Sequence, residues 1–130
     1  MHRFPSSSTV LRIRLASCLV CVKCLLAPIT TGTLAYALLE GDQELTVFAL
    51  GLGALTILTV ILQWLIASRT PCPLCSTSVL ADKSCSKHRK AQALCGSYRL
   101  RVALGVLFKG TFLCPYCHER SVMKTRLRRG

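Results

Sequence analysis

The sequence predicts a membrane α-helical hairpin of two transmembrane helices, followed by a small, basic, cysteine-rich α+β domain. Three observations carry this. Residues 45–67, LTVFALGLGALTILTVILQWLIA, form an apolar run without a charged residue, and about 20 apolar residues in a helix cross the hydrocarbon core of a bilayer. A second apolar stretch precedes it, at about 19–39. All nine cysteines lie outside residues 45–67, and four of them stand in paired Cys-Pro-x-Cys turns.

Composition alone would suit an ordinary soluble domain, with 52% hydrophobic and 6% aromatic residues among 130. The distribution argues otherwise. The 17 Lys and Arg against 5 Asp and Glu give a formal charge of +12, yet no basic residue lies between Lys23 and Arg69. Charge is segregated to the two ends of the chain. An odd number of cysteines with Cys-x-x-Cys spacing points to metal or thiol chemistry more than to a disulfide framework.

Residues 1–17 carry His2, Arg3, Arg12 and Arg14 with no acid, and Pro5 to Thr9 disfavours regular structure. A short disordered basic arm is expected, acting as a cytoplasmic retention flank, with nucleic-acid or lipid-headgroup binding as the alternative use. The hairpin is expected over 18–68. In its first helix Lys23 can snorkel to the interface, and Pro28 is tolerable in a membrane span. Glu40, Asp42 and Glu44 form the acidic link to the second helix. Both basic ends then lie on one side, and the positive-inside rule puts that side, with both termini, in the cytoplasm.

A rival parse treats the first stretch as a secretory signal cleaved near Ala35-Tyr36-Ala37; Lys23 and the length of the stretch count against it. Small residues at four-residue spacing, Ala27, Thr31 and Ala35 on the first helix and Ala49 and Gly53 on the second, suit close helix packing within one chain or in a homodimer. Trp64 is placed as an interfacial anchor. Without a polar face in residues 45–67, a soluble surface helix is excluded.

Cys18, Cys21 and Cys24 stand at the membrane entrance, three residues apart. They partly match a ferredoxin cysteine run, but Pro28 occupies the fourth position. Arg12 and Arg14 break the apolar run a lipobox ending at Cys18 would need. S-palmitoylation is an alternative, and the plainest reading is cysteine as a small apolar helix residue.

Residues 69–130 hold the candidate metal ligands. Cys72-Pro73-Leu74-Cys75 and Cys114-Pro115-Tyr116-Cys117 resemble the knuckles of zinc ribbons, in which a tight turn aims two thiolates at one metal and two knuckles complete a tetrahedron. That resemblance implies Cys72, Cys75, Cys114 and Cys117 as ligands and a zinc-ribbon-like α+β domain on the membrane hairpin. The chain departs from the family at Ser76 and His118, where glycine is usual, and in the long insertion between the knuckles. Cys85 and His88 form an additional or alternative pair, since Cys72, Cys75, Cys85 and His88 would make a Cys3His site. A second site is conceivable from Cys114, Cys117, His118 and Cys95. Iron on the four knuckle cysteines, similar to rubredoxin, is the redox alternative to zinc. Cys114 to Cys117 also matches the glutaredoxin motif, but only thirteen residues follow it. With His118 it matches a haem-attachment motif, which the expected cytoplasmic side disfavours.

Between the knuckles, residues 84–95 are expected to form a short helix capped by Ser84. A second helix is expected after Ser97, with Leu100, Ala103, Leu104, Leu107 and Phe108 on its apolar face and Gly110 as its stop; a strand is the alternative. Residues 111–113 should form a strand leading into the last knuckle. The tail carries 13 Lys and Arg against Asp82 and Glu119, which suits anionic lipid or nucleic acid, although Tyr98 and Tyr116 are the only aromatics suited to stacking on bases. No nucleophile or acid–base set is present in the pattern. The expected function is a non-enzymatic integral membrane protein whose zinc module binds a protein partner or the membrane; a membrane-tethered electron carrier and a nucleic-acid-binding membrane protein are the alternatives.

Overall fold

A computed structural model describes residues 2–4, 6–81 and 84–125. Strand β1 (His2–Phe4) is followed by two long helices, α1 (Ser7–Glu40) and α2 (Gln43–Ser68), then a short helix α3 (Tyr98–Leu104), a π-helical turn (Gly105–Lys109) and strands β2 (Thr111–Leu113) and β3 (Arg120–Thr125). The sheet order is β1-β3-β2, with β1 parallel and β2 antiparallel to β3.

Helix α1 begins where the Ser6 hydroxyl accepts from the Ser8 N–H at 3.3 Å, satisfying one of the orphan donors of a first turn. It ends at Gly41, whose left-handed φ of 69° lets its N–H reach the Ala37 carbonyl, as glycine does at helix C-termini. One residue later Asp42 caps α2 through Oδ1 on the Glu44 N–H at 3.1 Å. The two helices therefore turn back on each other and pack side by side, joined by a Thr30–Thr56 hydroxyl bond of 3.1 Å.

Two membrane-spanning helices do not stand. Among the described residues one helix, α2, is long and apolar enough to cross a bilayer. Helix α1 starts at Ser7 and not near residue 19, so it includes Arg12, Arg14 and Lys23. Its first turns bury Val10, Ile13 and Ala16 in the same core as Phe4, Val79, Leu80, Val102, Val106, Phe112 and Met123. The N-terminal segment is thus no disordered arm: Phe4 is 1% exposed and β1 is the third strand of the sheet. The cysteine-rich module is not separate from the helices, because its core is built from both ends of the chain.

Helix α2 has its large apolar side chains on the outside. Val47, Phe48, Leu50, Ile57, Leu58 and Trp64 are exposed, whereas the buried positions are Ala49, Thr59, Gln63 and Ala67. A polar and small stripe therefore does exist in residues 45–67, and it lies on the buried face. The small-residue expectation is met on α2, where a Cβ added at Gly53 would stand 3.9 Å from the Thr30 methyl, but Ala27, Thr31 and Ala35 of α1 face outward. Thr30, Thr33 and Ala37 take the inner face instead, on the next strip of the helix.

The expected helix over 84–95 is not formed; the described part is turns, with Ala91 N–H on the His88 carbonyl and a tight turn whose centre, Cys95 and Gly96, has positive φ. Ser97 does cap α3, accepting from the Leu100 N–H at 3.4 Å. The core face of α3 is Val102, Ala103 and Val106, not the expected Leu107 and Phe108. The backbone widens from Gly105, and Gly110 closes it in the left-handed region with its N–H on the Gly105 carbonyl, an i→i+5 bond that turns the following side chains outward.

Candidate metal centre

Helix α2 delivers the chain to the first knuckle. Arg69 and Thr70 close the helix end, with the buried Thr70 hydroxyl on the Ala67 carbonyl at 2.7 Å, and Ser78 Oγ ties the far side of the knuckle to the Ser68 carbonyl at 3.2 Å. Inside, the Ser76 N–H donates to the Cys72 carbonyl at 3.0 Å and the Cys72 N–H to the Thr77 carbonyl at 2.9 Å. Pro71 pairs with Ser78 across the base.

The second knuckle repeats this bond for bond. His118 N–H donates to the Cys114 carbonyl at 2.9 Å, Cys114 N–H to the Glu119 carbonyl at 3.1 Å, and Leu113 pairs with Arg120. Here the base pair belongs to the antiparallel ladder of β2 and β3. Ser76 (φ 54°) and His118 (φ 58°) both occupy the left-handed region, which explains why glycine suits these positions: a Cβ there costs about 1–2 kcal/mol.

The two turns bring four thiols together. The Sγ atoms of Cys72, Cys75, Cys114 and Cys117 all lie within 4.8 Å of one another, and Cys75 and Cys114 are 3.8 Å apart. Cys72 and Cys114 are buried, and Cys75 and Cys117 half-buried. The hydrogen bond from Cys114 pushes the Cys72 thiol down to about 5, against its burial and with help from the backbone N–H groups of Cys75 and Leu74. Cys114 moves up, first through that same bond and then through burial, and burial raises Cys117. Thiols this close cannot all ionise unless a cation neutralises them. The cluster could hold a metal ion, and its donor set is all thiolate.

The additional candidates lie elsewhere. Cys85 and Cys95 are exposed and do not join the cluster. His88 sits over the second knuckle: its N–H donates to the Pro115 carbonyl at 2.8 Å, its Nδ1 accepts from the Lys90 N–H at 3.2 Å, and its ring stacks on His118 at 4.6 Å between centroids. Cys18, Cys21 and Cys24 lie along α1, with Cys18 and Cys24 exposed. Sequence reasoning missed Phe4 and the first turns of α1 as parts of the module that supports the cluster. The signal was the helical spacing of Val10, Ile13 and Ala16, interleaved with the exposed Arg12 and Arg14 on either flank of that strip. In comparisons with known proteins, no family model, curated protein or solved structure matches the chain.

Proposed function

We propose that the protein is anchored in a membrane by α2 and presents a basic, zinc-bound module at the cytoplasmic face, where it binds a protein partner or the membrane and performs no catalysis. The observation that carries this is the junction: a helix with its large apolar residues outward runs, within four residues, into the first of two equivalent knuckles whose thiols converge. Burying small and hydroxyl side chains while exposing Phe48, Ile57 and Leu58 is costly in water and natural in lipid, where close backbone packing replaces the hydrophobic drive. The exposed Trp64 near the end of α2 suits the headgroup boundary.

Zinc is supported by the donor set. A tetrahedron of sulfurs at the usual zinc–thiolate length of about 2.3 Å has edges of about 3.8 Å, which is the Cys75–Cys114 separation. Such an ion contributes on the order of 10–16 kcal/mol in small zinc modules, the scale needed where a core of this size is marginal. The positive charge that flanks α2 from Arg69 onward supports the cytoplasmic side.

The test is extraction and labelling. In alkaline carbonate the full chain should stay with the membrane pellet, and in intact cells an impermeant thiol reagent should leave the exposed Cys85 and Cys95 unlabelled until the membrane is opened. Release by carbonate would contradict the anchor, and labelling of intact cells would contradict the orientation.

A further inference from the structure

Beside the second knuckle lies an open cavity of about 810 Å³. Arg89, Lys90, Arg101, Lys109 and Arg120 line it, and no acidic residue among the described ones does. Among the described residues none of these five side chains is in an ion pair. Arg101 is held in place by a neutral partner, donating to Gln92 Oε1 at 2.7 Å and to the Gln92 carbonyl at 3.3 Å, so its position is fixed while its charge stays unmatched. Five like charges around one concavity repel each other, and an anion placed among them relieves that repulsion.

The remaining wall is apolar. Phe108 is 81% exposed, and Leu94 and Leu113 are also exposed at the cavity; Phe108 and its neighbours are turned outward by the widened turn that begins at Gly105. His118 lines the cavity as well, and its buried Nδ1 lacks a hydrogen-bond partner among the described residues. Cations and an exposed apolar wall together match a ligand with a phosphate at one end and hydrocarbon at the other. An inorganic anion would leave the apolar wall in water.

We propose that this cavity binds an anionic phospholipid, with the phosphate among the five cations and the acyl part along Phe108 and Leu113. The choice of a lipid over other phosphate esters rests on the membrane reading of α2, whereas the phosphate end rests on the cavity alone. The site would hold the cysteine module against the bilayer surface and make its docking dependent on lipid composition.

The experiment uses the full chain in detergent, so it does not depend on whether α2 spans a membrane. Binding of short-chain dihexanoyl phosphatidic acid is compared with that of dihexanoyl phosphatidylcholine and of inorganic phosphate. It is repeated in the variant Lys90→Gln, Lys109→Gln, Arg120→Gln and in a control with equal charge loss outside the cavity, Arg12→Gln, Arg14→Gln, Lys124→Gln. All six side chains are exposed, and metal content reports whether each variant keeps its fold. The expected result is phosphatidic acid binding at least about tenfold tighter than phosphatidylcholine, weakened about tenfold or more by the cavity variant and little by the control. Equal loss in both variants would overturn the site in favour of diffuse charge. Equal affinity for phosphatidylcholine, or for inorganic phosphate, would overturn the lipid assignment even if both variants lost their fold, because that comparison needs the natural chain only.

Discussion

The first knuckle, residues 71–78, hangs from the end of α2, whereas the second, residues 113–120, is the connection between β2 and β3. Their internal hydrogen bonds are the same, residue for residue, and both place a non-glycine residue in the left-handed region. Their surroundings differ. The first is fastened to a helix through Ser78 and Ser68; the second carries the His88–His118 stack and opens on the basic cavity. A Cys-Pro-x-Cys turn fixes its own backbone locally, so the difference lies in what each turn attaches to. One knuckle joins the centre to the apolar helix, and the other joins it to the sheet and borders the basic cavity.

The largest effect should come from breaking the two knuckles in parallel. Cys72→Ser and Cys114→Ser should each abolish metal binding and cost most of the roughly 10–16 kcal/mol that such a metal contributes, seen as loss of bound metal and of protease resistance. Cys85→Ser should change neither. Metal retained in either knuckle variant would break the equivalence, and metal retained in Cys114→Ser but lost in Cys85→Ser would restore the site built from Cys72, Cys75, Cys85 and His88.

A smaller effect should separate the knuckles. A Cβ at Gly105 would stand 2.9 Å from the Thr111 carbonyl oxygen, so Gly105→Ala must push β2 away. Overpacking costs about 1–3 kcal/mol and the gain in helix propensity returns about 1. Thermal unfolding should show a net loss of up to about 2 kcal/mol, and hydrogen exchange should show it concentrated in β2 and the second knuckle. A uniform loss over both knuckles would mean that they open as one unit.

The smallest effect should be a gain. Ser76→Gly relieves about 1–2 kcal/mol of left-handed strain and returns about 0.4–1 to the freedom of the unfolded chain. The net is stabilisation of about 0.5–1 kcal/mol, measurable as a raised Tm at fixed metal. His118→Gly should gain less, because it also removes the stack on His88.

Much of the centre was legible in the sequence, since the ligand pairs are contiguous and each turn closes on itself within six residues. The apolar run of α2 was equally plain, as was the strand over 111–113. The tertiary partners were not. Phe4 sits beside Pro5 and a serine-rich stretch, with nothing local to show that it pairs with a strand more than a hundred residues away. Arg12 and Arg14 hid the buried face of Val10, Ile13 and Ala16, because a helix can be charged on one side and core on the other. The phase of α3 was misread because an i→i+5 turn shifts the helical repeat, which Gly105 and Gly110 permit. The tail's cations read as one undivided charge; five of them line a single cavity, while Lys83, Arg126, Arg128 and Arg129 lie outside the described residues.

The central claim is that two knuckles share one ion. Because the core draws on Phe4 and the start of α1, the measurement uses the full chain and not residues 68–130 alone: native mass and elemental analysis of the detergent-purified protein, with an absorption spectrum. One zinc per chain and no visible bands is the predicted result. A chain that folds with no metal, or with two ions, would contradict the shared site, and iron with visible bands would make the same four cysteines a redox centre.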